Sequence, residues 1–173
     1  LKIENCRDCA AISSIRLPPR EFLGKYLKHD YPDLNLVRVA VIGRDSPINP
    51  DNFLYRNPGK PNRFVEGLFT LLGVKDFEEF RQRAVLTDAT RCHAGGSRVP
   101  EKALGHCAKH LLEELRLFPN LETLVVLGED AYLQFQQFVL GRTAGQFTPF
   151  KDLMGEQQWA REDVRAPKLG DCG

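Results

Sequence analysis

Short β-branched runs alternate along the chain with segments whose apolar residues recur at helical spacing. The first run, residues 36–42, ends at Gly43 and predicts a buried strand. Ahead of it, Pro18 and Pro19 open a predicted helix over residues 20–28, with Phe22, Leu23, Tyr26 and Leu27 on one side, and Tyr31-Pro32-Asp33 breaks it. A polar loop with four prolines spans residues 44–62. Loops of that length are usually functional or disordered, and Phe53-Leu54-Tyr55 within it argues against disorder. Phe64, Leu68, Leu71 and Leu72 predict a helix that Gly73 caps, and residues 76–83 a second short one. Residues 84–88 read as the second strand.

After a loop over residues 89–99, Pro100 starts a helix with Leu104, Cys107, Ala108, Leu111 and Leu115 on one face. Residues 121–127 read as the third strand, ending at Gly128, and residues 131–140 as a helix closed by Gly141. The tail, residues 142–173, carries aromatics but no strand pattern. Strand, helix, strand, helix, strand, helix is the order of an α/β fold with a mostly parallel central sheet and helices on both faces, a three-layer α/β/α arrangement. Ligands of such sheets sit beyond the carboxyl ends of the strands. Here those ends carry Asp45, Asp88 and the pair Glu129 and Asp130.

The length of 173 residues fits one domain with a real core. Lys plus Arg number 24 and Asp plus Glu 23, which excludes a histone-like chain and an acidic tail. That balance hides a local asymmetry: residues 81–110 hold six basic residues (Arg81, Arg83, Arg91, Arg98, Lys102, Lys109) against Asp88 and Glu101. This is an anion-binding face if it is shared, and a solvated helix surface if each residue stands alone. No apolar run reaches the ~18 residues of a membrane helix, so no membrane partner is expected. The N-terminus has no signal-peptide pattern and no Met, which reads as a trimmed or incomplete end.

Five cysteines without a secretory signal argue for ligand cysteines in a reducing compartment, hence a cytoplasmic protein. Cys6-x2-Cys9 and Cys92-x14-Cys107 make two pairs, with Cys172 left over. Spacing alone leaves a [4Fe–4S] cluster, a zinc site and unrelated buried cysteines level. Asp45 can orient a water or cap a turn. Phe53 and Tyr55 can stack on a flat ligand or staple their loop to the core. Gly95, Gly96, Ser97 and Arg98 suit a phosphate.

Taken together these residues resemble the uracil-DNA glycosylase superfamily, most of all its iron–sulfur (family 4) members. Those carry an N-terminal Cys-x-x-Cys, a strand ending in a Gly-Glu-Ala-Pro-Gly loop, and a strand of the form Ile-Thr-Asn-x-x-Lys-Cys-Arg-Pro-Pro-x-Asn-Arg-x-Pro. A helix with a fourth Cys and a strand ending Leu-Gly-x-x-Ala follow. Here the chain reads Leu86-Thr87-Asp88-Ala89-Thr90-Arg91-Cys92, then Cys107, then Leu127-Gly128-Glu129-Asp130-Ala131. The similarity runs from about Cys6 to Ala131. It implies a single domain over residues 1–173 with a sheet of about four strands, and a monomer that binds DNA. It also implies a [4Fe–4S] cluster on Cys6, Cys9, Cys92 and Cys107, with zinc as the alternative. The implied activity is hydrolysis of the N-glycosidic bond of a flipped base such as uracil, leaving an abasic site.

By the same resemblance Asp45 is the catalytic residue, because Gly43-Arg44-Asp45-Ser46-Pro47 is similar to the Gly-Gln-Asp-Pro-Tyr loop of family 1. Gly43, Arg44, Phe53 or Tyr55, and Asp88 would hold the base, and Ser97 and Arg98 the DNA phosphates. Asp88 replaces the usual asparagine. An ionised carboxylate only accepts hydrogen bonds, which suits a base with an amino group, such as cytosine, better than uracil. The family's closing His-Pro-Ser type loop has no counterpart here; either it lies beyond Gly173 or this member lacks it. Two other readings stand beside the enzyme: a non-catalytic iron–sulfur nucleic-acid-binding member of the fold, and a zinc-stabilised protein handling a phosphorylated ligand.

Overall fold

A computed structural model describes residues 3–16, 22–96 and 98–154. Ser97, Cys172, residues 17–21 and most of the expected tail therefore lie outside the described residues. The fold is α/β, built on a parallel sheet of three strands: β2 (Val39–Asp45) lies between β3 (Ala84–Thr90) and β5 (Thr123–Val126). A second, antiparallel ribbon pairs β1 (Ile15–Arg16) with β4 (His93–Ala94).

The central strand is apolar on both faces, with Ala40, Val41 and Ile42 fully buried, as a parallel strand covered on both sides must be. It begins and ends three residues later than the sequence pattern suggests. The reason lies in its partners: Gly43 pairs with Asp88 and Asp45 with Thr90, so the backbone ladder continues past the end of the apolar run. Asp45 is the last residue of a strand, not part of a free loop.

The helix α1 (Leu27–Asp30) follows a 3-10 turn at Leu23–Lys25, in place of one continuous helix. The next, α2 (Arg63–Leu72), starts where the Asn62 side chain accepts from the Val65 amide at 3.0 Å, and stops at Gly73, whose φ of 64° is left-handed. Its buried face is Val65, Leu68 and Phe69, whereas Phe64 and Leu71 are 52% and 67% exposed. Apolar residues cover more than half of this helix, so spacing alone does not choose between the two faces. Asp76 caps α3 (Phe77–Arg81). Further on, α4 (Glu101–Leu115) buries Leu104, Cys107, Ala108, Leu111 and Leu115 as predicted, and also Glu114. The last part is α5 (Glu129–Leu133), a π-helical turn (Gln134–Val139), and α6 (Phe150–Met154).

The long loop is tied down by its aromatics. Phe53 and Tyr55 are 4% and 3% exposed and pack with Tyr26 and Tyr31. The Tyr55 hydroxyl accepts from the Leu86 amide at 2.7 Å and donates to the Leu86 carbonyl at 2.8 Å, while the Tyr31 hydroxyl donates to the Ala84 carbonyl at 3.1 Å. Two tyrosines thus satisfy the open edge of β3, which would otherwise offer unpaired backbone groups. Tyr55→Phe is expected to cost about 1–3 kcal/mol, because it leaves buried Leu86 groups unpaired; urea unfolding measures it.

Candidate functional site

Three acids lie at or near the carboxyl ends of the strands, Asp45, Asp88 and Asp130, and each is held differently. Asp45 has a side chain only 7% exposed. Its Oδ1 accepts from Arg44 Nε at 2.6 Å, and its Oδ2 accepts from the Ala94 amide at 2.8 Å. His93 Nδ1 lies 3.0 Å from the same Oδ2 and 3.1 Å from the Ser46 carbonyl. Both are acceptors, so the Nδ1 position carries a proton, and in the neutral ring Nε2 is the accepting nitrogen. Among the described residues Nε2 has no hydrogen-bond partner. The pattern is an acid orienting an imidazole, as in hydrolytic dyads. Periodicity gave no sign of it, because His93 meets Asp45 only when the loop after β3 doubles back to form β4.

Asp88 sits beside this pair. Ser46 joins them: its carbonyl faces His93, and its hydroxyl donates to Asp88 Oδ2 at 3.4 Å. Gly43, opposite Asp88 across the ladder, leaves the space the carboxyl group fills; a Cβ there would stand 2.7 Å from Asp88 Oδ1. Burial raises the Asp88 carboxyl to about 7, the Asp45 and Glu114 charges adding to it while Arg91 and Ser46 oppose it. Near neutral pH Asp88 is therefore protonated in part, and in that form it both donates and accepts, as an amide does.

Arg44 also reaches the Gly96 carbonyl at 3.3 Å. With Arg98, Leu127, Gly128, Glu129 and Asp130 it lines a cleft of about 160 Å3 at the carboxyl ends of β2 and β5. In parallel α/β sheets ligands bind beyond the carboxyl ends of the strands. Arg98 is paired with Glu129, and the Asp130 carboxylate accepts from the Val99 amide at 2.9 Å.

The structure does not bring all the expected residues to this place. Phe53 and Tyr55 are core members, so the stapling reading holds for their loop. The basic stretch is largely paired within the chain: Arg81 with Glu78, Arg83 with Glu79, Lys109 with Asp8, Arg98 with Glu129. The exposed pairs are weak enough to yield to phosphate. Arg91 is not, because it is 2% exposed and bound to fully buried Glu114 at 2.5 Å.

The cysteines do converge. Cys6 and Cys9 lie on the N-terminal turns, Cys92 follows β3, and Cys107 is on α4; all are free and only Cys6 is more than slightly exposed. Burial pushes the Cys9 and Cys92 thiols up to about 11 and 12, and mutual repulsion among the four adds to it. The Arg91 backbone amide donates to Cys107. Four sulfurs, three of them buried, that repel one another as thiolates fit a cationic metal centre, and an all-sulfur donor set fits iron–sulfur chemistry. Around the same turns, Cys6, Asp8 and His110 offer ligand atoms within 4.8 Å of one another, and Cys9 Sγ lies 3.6 Å from His106 Nδ1. His106 and His110 stand four apart on one helix face, and in the sequence they read only as additions to the basic stretch of residues 81–110. Compared with known proteins, the chain matches no family model, no curated protein and no solved structure.

Two outcomes follow. Glu114→Gln, which leaves Arg91 buried without its counter-charge, is expected to lose about 3–5 kcal/mol in urea unfolding, and Arg91→Met with Glu114→Leu clearly less. Asp88 binds its proton more tightly folded than unfolded, where 3.8 is the ordinary value. Wild-type stability should therefore fall as pH rises from about 4 to about 7 and then level off. Asp88→Asn should remove that slope and become the more stable form above pH 7, by at most roughly 4 kcal/mol in paired urea titrations.

Proposed function

We propose that the chain is a DNA glycosylase-like hydrolase of the iron–sulfur uracil-DNA glycosylase type, acting on a base flipped out of DNA and leaving an abasic site. The observation that carries this reading is the grouping of Asp45, His93, Ser46 and Asp88 at the carboxyl ends of β2 and β3, beside the cleft floored by Gly128. In this reading the domain is three-layered with a fourth strand, binds DNA as a monomer, and holds a [4Fe–4S] cluster on Cys6, Cys9, Cys92 and Cys107. The cluster orders the segment between Cys92 and Cys107; hydrolysis needs no electron from it.

Asp45 is then a positioning residue. Its carboxylate fixes the His93 ring so that Nε2 can hold the attacking water, and its charge favours the cationic sugar as the glycosidic bond breaks. Asp88 reads the base edge. Protonated, it donates to a carbonyl oxygen and accepts from an N–H, which matches O4 and N3–H of uracil; ionised, it suits an amino group. The expectation drawn from an ionised carboxylate thus turns on pH. Arg44 and Arg98 flank the cleft for phosphate, with Ser97 between the glycines and Arg98 in sequence.

A non-catalytic nucleic-acid-binding role is the second reading, favoured by how fully the Asp45 carboxylate is already engaged. Base release from single- and double-stranded DNA carrying uracil, hypoxanthine or cytosine lesions separates the two. Asp45→Asn and His93→Ala are each expected to slow uracil release about a hundredfold while DNA binding persists, and the double variant little further, because the pair acts as a unit. Uracil release should fall as pH rises through about 7, and Asp88→Asn should flatten that limb. DNA binding without release of any base would establish the second reading.

A further inference from the structure

We propose that Cys6, Asp8 and His110 hold a single zinc-type divalent cation, with water completing its shell. Cys6 and Asp8 come from the N-terminal turns and His110 from α4. The turns are closed by the Cys6 amide, which donates to the Ile3 carbonyl, and the Ala10 amide, which donates to the Arg7 carbonyl, each at 2.9 Å. Ile3 is fully buried and anchors them. Lys109, next to His110 on α4, donates to Asp8 Oδ2 at 2.6 Å and so draws Asp8 toward His110. The ligand atoms of Cys6, Asp8 and His110 lie within 4.8 Å of one another. Three atoms no farther apart than that share a centre within about 2.8 Å of each, against zinc bonds of about 2.0–2.3 Å, so closing on the ion takes shifts of less than about 1 Å. Asp8 is exposed and has the room to make its share of them.

His110 supplies an independent sign. Both of its ring nitrogens are buried, and neither makes a hydrogen bond. Glu113 Oε2, 3.7 Å from Nδ1, is beyond hydrogen-bond reach. A buried imidazole left unpaired is costly, and a bound cation is a partner that removes the cost. Burial, with Arg91 and Lys109 nearby, holds His110 below its ordinary value, so it stands in the neutral form that ligates.

The donor set selects the ion. Calcium and magnesium take oxygen ligands, so a thiolate and an imidazole count against both. One thiolate, one imidazole and one carboxylate are the three donor types zinc accepts, and three protein ligands leave its fourth position to water. The exposed Asp8 side lets that water in. Cys6 is the one described cysteine that is not buried, so it is also the one an ion from solution meets first. Binding displaces the Cys6 thiol proton and leaves a neutral site of one thiolate, one carboxylate, one imidazole and one dication. Lys109 stays beside Asp8 as its outer partner. The triad shares Cys6 with the four-cysteine set, so only one of the two is filled at a time. This inference does not depend on the chain being a glycosylase.

The test uses the full chain prepared without iron and treated with chelator. Cobalt(II) should bind one per chain with thiolate charge-transfer absorption and the visible bands of a four-coordinate ion, and zinc should displace it. X-ray absorption of the zinc form should give one sulfur and three nitrogen or oxygen neighbours. Cys6→Ser, Asp8→Asn and His110→Ala should each weaken zinc at least about tenfold, while Cys9→Ser, Cys92→Ser and Cys107→Ser stay within about twofold. A shell with two or more sulfurs, a shell with none, or unchanged affinity in the Asp8 and His110 variants would overturn the proposal, as would a chain that takes up no cobalt. The zinc shell of the unaltered chain decides the matter even where a variant fails to fold. Failure of the cluster reading shows separately, as a colourless iron-loaded chain.

Discussion

The ion pair between Arg91 and Glu114 is the constraint around which the rest of the molecule is arranged. Taking both charges out of water costs several kcal/mol each unless geometry returns it. Here Glu114 accepts from Thr87 Oγ1 at 2.6 Å as well as from Arg91 at 2.5 Å, and Arg91 also donates to the Asp88 carbonyl. Arg91 Nε and Glu114 Oε1 remain without partners, so the pair is incompletely satisfied. Its consequence is positional. Arg91 joins the end of β3 to α4, and that junction sets Cys92 beside Cys107 and turns the chain back toward β2. Breaking it would disturb the sulfur set, the Asp88 backbone and the start of β4 together.

What the sequence made legible follows the strength of its local signals. The central strand, its parallel neighbours and the buried face of α4 rest on long apolar patterns that tertiary contacts had no reason to override. Helix α2 was legible as a helix but not in its orientation, because Phe64 and Leu71 carry the same hydrophobic signal as Val65 and Phe69. Ribbon β1–β4 was invisible: two residues per strand carry no period, and their pairing depends on a contact between Ser14 and Gly95, 2.7 Å from carbonyl to amide, far apart in the chain.

The candidate site shows the same division. Asp45 and Asp88 could be singled out because a strand end is a place where an acid has few structural excuses. Their environments could not. That Gly43 opens space for the Asp88 carboxyl depends on register, and that His93 turns its Nδ1 to Asp45 depends on the doubled-back loop. The aromatic loop erred in the other direction. Phe53 and Tyr55 had chemistry to offer a base, but the open edge of β3 claims the tyrosine hydroxyl and the core claims both rings.

A metal at the N-terminal turns would reach the acid–imidazole pair by a short mechanical route. Residues 3–16 meet the body through the two-residue β1–β4 ribbon, the Ser14–Gly95 bond, the Asp8–Lys109 pair, the Cys9–His106 contact and the packing of Cys9, Ile12 and Ile15 against the core. The exposed Asp8–Lys109 pair is the weakest of these. A metal that tied Cys6 and Cys9 to Cys92 and α4 would add folding energy to that packing. Strand β4 is the element that gains, because β1 is its partner in the ribbon. Ala94 of β4 donates to Asp45, and His93 of β4 is the imidazole Asp45 orients. A metal held there would thus steady the strand that carries the Asp45–His93 contact.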